Sequence, residues 1–153
     1  MSVDPDISRQ IMEEELAAMA PLAATYGWVV CPDLPNLTVT VRLRSAIDGE
    51  VYLLEARCDG YKAQPPIFEF VHPESGERGT PRCYPKDGNF FHTMPCICIQ
   101  WNRKAYQPGG GPHPDWPLAN WMSARPTMQE LGGMFDLVQR QINHPTQYQG
   151  RMG

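Results

Sequence analysis

The chain has 153 residues, 13 basic and 17 acidic, for a net charge of −4. That length fits one domain with a real core, and the mild acidity supplies no positive field to gather nucleic acid or anionic lipid. Five cysteines, an odd number, follow an N-terminus (Met1-Ser2-Val3-Asp4-Pro5-Asp6) without a basic, apolar leader, and no apolar run approaches a membrane span; the expectation is a cytoplasmic protein with reduced thiols, one of them a candidate reactive group.

A first helix is predicted from about Asp6 to Ala20. Ile7, Ile11, Met12, Leu16 and Met19 recur at helical spacing, Arg9, Glu13 and Glu14 fill the opposite face, and Pro21 is the expected stop. Gly27-Trp28-Val29-Val30-Cys31 reads as a short strand ended by Pro32 and Pro35. Leu37, Val39, Val41 and Leu43 alternate with Thr38, Thr40, Arg42 and Arg44, the pattern of a strand with one buried face. Asp48-Gly49 then turns the chain into a strand from Val51 to Cys58, completing a hairpin.

Tyr61-Lys62-Ala63-Gln64-Pro65-Pro66 cannot be helix, because a residue before proline is pushed out of the helical region. It leads into a fourth strand, Ile67-Phe68-Glu69-Phe70-Val71. From His72 to Phe91 the chain is dense in Pro, Gly and charge, a long loop of the kind that carries function. Met94-Pro95-Cys96-Ile97-Cys98-Ile99-Gln100-Trp101 follows, then a second loop from Tyr106 to Asn120 containing Gly109 to Gly111 and His113-Pro114-Asp115-Trp116. A final helix is predicted from about Thr127 to Asn143 on Met128, Leu131, Phe135, Val138 and Ile142, with Pro145 beyond it. Gly132 and Gly133 each cost such a helix about 1 kcal/mol against alanine, so they either permit close packing on the sheet or weaken its middle.

The order of these elements, from about Asp6 to Pro145, resembles the ubiquitin-conjugating enzymes. Tyr61-x-x-x-Pro65-Pro66 before Ile67-Phe68-Glu69-Phe70 resembles the family's Tyr-Pro-x-x-Pro-Pro element, with Lys62 at the first proline. Ile97-Cys98-Ile99 resembles its Ile-Cys-Leu, and Arg125-Pro126-Thr127, opening a helix that ends at His144-Pro145, resembles the stretch after its active site. The resemblance implies a single α+β domain over residues 1–153: an N-terminal helix, a four-stranded antiparallel meander, an active-site loop and a crossing C-terminal helix, without the family's final helices. It implies a transferase that accepts the C-terminus of a ubiquitin-like protein as a cysteine thioester from an activating enzyme and passes it to an amine or other nucleophile. No cofactor is implied. In the family the first helix helps dock the activating enzyme, a role that falls here on the face with Glu13 and Glu14. The short form resembles bacterial members that work with an activating enzyme and an isopeptidase, some in defence against phage.

Three departures stand out. The family's His-Pro-Asn triplet, whose asparagine supports the oxyanion, is absent, and Asn89 and His92 are the nearest substitutes. Trp116 and Trp121 lie farther beyond the cysteine than the family's tryptophan, which enlarges the loop between. The sequence stops soon after Pro145, leaving core surface for a stable partner or a second copy to cover.

Cys98 is the candidate nucleophile on these grounds, since a thiolate attacks a thioester readily. Cys96 shares its phase on an extended segment, so it is the runner-up or a second nearby thiol. Both also fit small buried strand residues. His92 has the chemistry to donate to the oxyanion or take a proton from an amine, and Asn89 to donate an amide hydrogen bond; each also fits an ordinary loop position. His113 and Asp115 are candidates for a gate or an acid/base role, or simply a turn between prolines. Trp116 and Trp121 suit core or lid packing.

Two other functions remain open. One is a non-catalytic variant of the same fold that binds a ubiquitin-like protein or partner enzyme. The other is a zinc-dependent nucleobase deaminase, suggested by His72-Pro73-Glu74 with Pro95-Cys96-Ile97-Cys98, although a single residue separates cysteines that normally span a helical turn. Structural zinc at Cys83, Cys96, Cys98 and a histidine lacks any Cys-x-x-Cys pair.

Overall fold

The computed structural model describes residues 3–106, 111–113, 116–126 and 128–153. Two helices open the chain, α1 (Pro5–Ala18) and α2 (Ala20–Tyr26). The strands β1 (Val29–Asp33), β2 (Thr38–Arg44), β3 (Val51–Arg57) and β4 (Ile67–Val71) form one antiparallel sheet in the order β1-β2-β3-β4. A small hairpin of β5 (Phe91–His92) and β6 (Cys96–Ile97) follows, then the short α3 (Trp121–Ala124) and α4 (Leu131–Ile142). The architecture is α+β, with an N-terminal helix, a four-stranded antiparallel sheet and a C-terminal helix.

Strict alternation in β2, β3 and β4 builds the core. Val39, Val41 and Leu43, Tyr52, Leu54 and Ala56, and Phe68 and Phe70 are all fully buried, while their neighbours in sequence are only partly so. α4 supplies Leu131, Met134, Phe135, Val138 and Ile142 to the same core, and the Phe135 ring meets Phe68 edge-on at 5.5 Å.

Five details differ from the sequence reading. The buried face of α1 is Ser8, Met12 and Glu15, with Met19 just beyond it, whereas Ile7 is 53% exposed. The face is rotated because Ser8 and Glu15 have distant polar partners that reward their burial: the Ser8 hydroxyl donates to the Tyr61 carbonyl, and Glu15 accepts from the Tyr61 hydroxyl at 2.6 Å and from Lys62 Nζ at 2.8 Å. Pro21 does not end the helical region. It sits in the first turn of α2, where a missing N–H costs nothing.

β1 runs through Pro32, which an edge strand tolerates. α4 begins at Leu131, not near Thr127, because Glu130 is extended (φ −125°, ψ 154°); Thr127 lies outside the described residues. Gly132 is the point of close approach, but to the α1–α2 junction: a Cβ there would lie 2.9 Å from the Met19 Cβ.

Beyond α4 the chain returns over the sheet. The Tyr148 hydroxyl hydrogen-bonds that of Tyr52 at 2.7 Å, the Arg151 guanidinium lies over the Tyr52 ring at 4.4 Å, and the Met152 amide donates to the Tyr84 carbonyl at 2.9 Å. Tyr148 and Met152 of this segment join the hydrophobic core. Among the described residues, no helix is long and apolar enough to cross a membrane.

Candidate functional site

The segment around Cys98 hangs from β4 and from the small hairpin. β5 and β6 pair Phe91 with Ile97 and His92 with Cys96, and the Cys98 amide continues the ladder by donating to the Phe90 carbonyl at 2.9 Å. At Cys98 the chain bends: the Ile99 amide donates to the Ile97 carbonyl at 3.2 Å, a three-residue turn. Ile97 and Ile99 are buried on either side, so the bend leaves Cys98 half-buried at the surface.

Asn102 fixes this bend to the sheet, and nothing in the sequence marked it. Its side chain is wholly buried. Oδ1 accepts from the Phe68 amide of β4 at 3.0 Å and from the Lys104 amide at 3.2 Å, while Nδ2 donates to the Ile97 carbonyl at 2.9 Å and meets Cys96 Sγ at 3.9 Å. One amide group thus satisfies groups from β4, β6 and the turn that follows, which makes it costly to remove. Arg103 adds a second tie: its amide donates to the Pro66 carbonyl at 2.9 Å, its Nε to the Pro65 carbonyl at 2.9 Å, and its Nη2 to Asp59 at 2.8 Å. The Tyr61–Pro66 element is thereby held against the segment that follows Cys98.

Cys98, Asn89 and Phe90 line one open cavity of about 410 Å³ together with Gly88, Arg125 and Gln141. Asn89 is exposed, its position set by the Asp87 carboxylate, which accepts from the Asn89 and Phe91 amides at 3.0 Å each. Gln141 of α4 donates to the same carboxylate at 2.7 Å, joining the helix to the cavity wall.

The two cysteines stand in different environments. Cys96 is 1% exposed, and the Cys98 thiol lies 3.9 Å from its carbonyl oxygen. The Cys98 thiol is held well below the usual cysteine range, chiefly because the Cys96 thiol acts as its hydrogen-bond donor; burial works the other way, and His113 and His92 add to the lowering. The same interaction, together with burial, pushes Cys96 far up. Of the two thiols, Cys98 is therefore the one favoured to ionise.

The structure brings Cys98, Cys96, His92, Asn89 and His113 into one neighbourhood. His92 sits opposite Cys96 in the hairpin, and its Nδ1 accepts from the Met94 amide at 3.2 Å. His113 stacks flat on Trp116 with 3.7 Å between ring centroids and 3° between planes, and its Nε2 is buried with no hydrogen-bond partner among the described residues. Asp115 lies outside the described residues. Trp121 is buried against Tyr61 at 6.3 Å, as packing.

Glu13 and Glu14 are exposed on α1. His72 and Glu74 line a separate cavity with Arg42 and Arg151, and among the described residues no three His, Cys, Asp or Glu side chains form a cluster able to hold a metal. Cys83 donates instead to the Glu77 carbonyl at 3.1 Å.

No protein-family model matches the chain, and no curated protein matches it in sequence.

Proposed function

We propose that the chain is a compact ubiquitin-conjugating-type carrier with Cys98 as its thioester-forming nucleophile. The observation that carries this reading is the state of Cys98: a half-buried thiol with a lowered pKa, on a bend at the edge of an open cavity, following an antiparallel meander. The order of helix, meander, Tyr61–Pro66 element, cysteine bend and final helix supports the same reading.

In the proposed reaction the Cys98 thiolate attacks the carbonyl of a modifier thioester held on an activating enzyme. The tetrahedral oxyanion collapses and expels the activating enzyme's thiolate, leaving the modifier on Cys98. An amine then attacks that thioester, loses a proton, and returns the Cys98 thiolate. Asn89 offers an amide donor to the oxyanion from the same cavity wall. His92 and His113 are the two histidines whose interactions reach the Cys98 thiol, which suits them to receive the amine's proton. The exposed Glu13 and Glu14 of α1 offer the docking face for the activating enzyme.

Cys98→Ser tests the chemistry. With a cognate activating enzyme, its ubiquitin-like protein and ATP, the serine variant is expected to form an ester that survives reducing agent, where the wild-type adduct is cleaved by it. If Cys98→Ser and wild type both stay unmodified while the activating enzyme is itself charged, the chain is a binding module of this fold and not a carrier.

A further inference from the structure

The geometry points to Cys96 as a resolving thiol that protects and switches Cys98 under oxidation, a regulation of the site proposed above. The two sulfurs belong to residues two apart, Cys96 in β6 and Cys98 at the bend that follows it. Two steps along a strand span roughly 6.6–6.8 Å between Cα atoms, the upper edge of what a disulfide bridges. The Cys98 side chain is already turned back, its Sγ 3.9 Å from the Cys96 carbonyl oxygen. Cys96 itself is 1% exposed and held by Asn102 Nδ2, so no macromolecular substrate reaches it. The accessible thiol of the pair is the one that lines the open cavity, and the buried one lies behind it.

The oxidant is a hydroperoxide. The Cys98 thiolate attacks the terminal oxygen, the O–O bond breaks, and Cys98 becomes a sulfenic acid while the alkoxide, or hydroxide in the case of hydrogen peroxide, leaves and takes up a proton. The Cys96 thiol, losing its proton, then attacks the Cys98 sulfur; an S–S bond forms, and the S–O bond breaks to release water. Two thiol hydrogens are lost per chain. The disulfide has no thiolate to accept a modifier, and a small dithiol or reducing enzyme restores the pair. Without Cys96 the sulfenic acid persists and proceeds to irreversible forms.

The test uses the full, reduced chain alone and hydrogen peroxide, read by peptide mass. Trypsin releases residues 87–103, which contain Cys96 and Cys98 and no other cysteine. The expected result is that this peptide loses two hydrogens and regains them with reductant, while Cys96→Ser instead retains a sulfenic acid that a dimedone probe labels. The proposal is overturned if wild type and Cys96→Ser label equally, if the peptide oxidises past sulfenic acid without the two-hydrogen loss, if it does not oxidise, or if Cys98 links to Cys31 of another copy or to Cys83. The wild-type measurement stands even if the variant folds poorly. It needs neither modifier nor activating enzyme, so a failed charging assay with an intact disulfide response rejects the carrier reading alone, and the converse rejects this one alone.

Discussion

The Glu15 carboxylate accepts a hydrogen bond from the Leu131 amide at 2.8 Å, so a side chain of α1 caps the first residue of α4. The helix lacks a side-chain cap of its own, since Glu130 makes none. A helix N-terminus presents unpaired N–H groups and a partial positive charge, and Glu15 answers both. The same carboxylate takes the Tyr61 hydroxyl and Lys62 Nζ, so three parts of the chain meet on one buried anion.

Glu15→Ala is therefore expected to destabilise the fold by about 3 kcal/mol, from lost charge-assisted hydrogen bonds and a buried amide left unpaired. Glu14→Ala, one residue away and exposed, is expected to stay within about 0.5 kcal/mol. Urea denaturation of both variants checks this; equal stabilities would remove the cap from the account.

Gly132 and Gly133 separate two opposing effects. Alanine in a helix gains about 1 kcal/mol over glycine, but at Gly132 its Cβ would come within 2.9 Å of the Met19 Cβ, and overpacking costs about 1–3 kcal/mol. At Gly133 the nearest atom is at 3.8 Å, an ordinary contact. Gly132→Ala is expected to lower the thermal midpoint and Gly133→Ala to raise it. Two shifts of the same sign would contradict the close approach of α4 to the α1–α2 junction.

The reactivity of Cys98 should follow its lowered pKa. Its rate of alkylation by iodoacetamide is expected to reach half-maximum below the roughly 8.5 of a free cysteine, while Cys96 stays unreactive. Because the Cys96 thiol and His113 both favour the thiolate, removing either moves the midpoint upward, with Cys96→Ala causing the larger shift. A midpoint that is unchanged in His113→Ala would detach that histidine from the site.

Replacing Glu13 and Glu14 together with lysine is expected to slow charging several-fold with little change in the urea midpoint, because both side chains are exposed. Single-turnover charging rates at low and moderate salt would show it, the difference shrinking as salt rises. An unchanged rate at low salt would reject the docking face.

The sheet was legible because pleating imposes a period of two that Val39, Val41 and Leu43 and their partners obey, and β4 runs from Ile67 to Val71 as expected. The face of α1 was not, because its inward positions include Ser8 and Glu15, whose partners lie 53 and 116 residues away in Tyr61 and Leu131. A buried glutamate in the run Glu13-Glu14-Glu15 carries no local mark. The site divides the same way. The family resemblance pointed to Cys98, Asn89 and His92 as candidates, and the fold places them near one another, whereas no local signal marked Asn102, whose contact with the Phe68 amide exists only once β4 is in place.

The central claim is tested most directly by incubating the wild-type chain, Cys98→Ala and Cys96→Ala with a cognate activating enzyme, its ubiquitin-like protein and ATP, followed by non-reducing gels and mass analysis. The account predicts a thiol-sensitive adduct in wild type and Cys96→Ala that is lost in Cys98→Ala. An adduct that persists without Cys98, or none in wild type beside a charged activating enzyme, would contradict it.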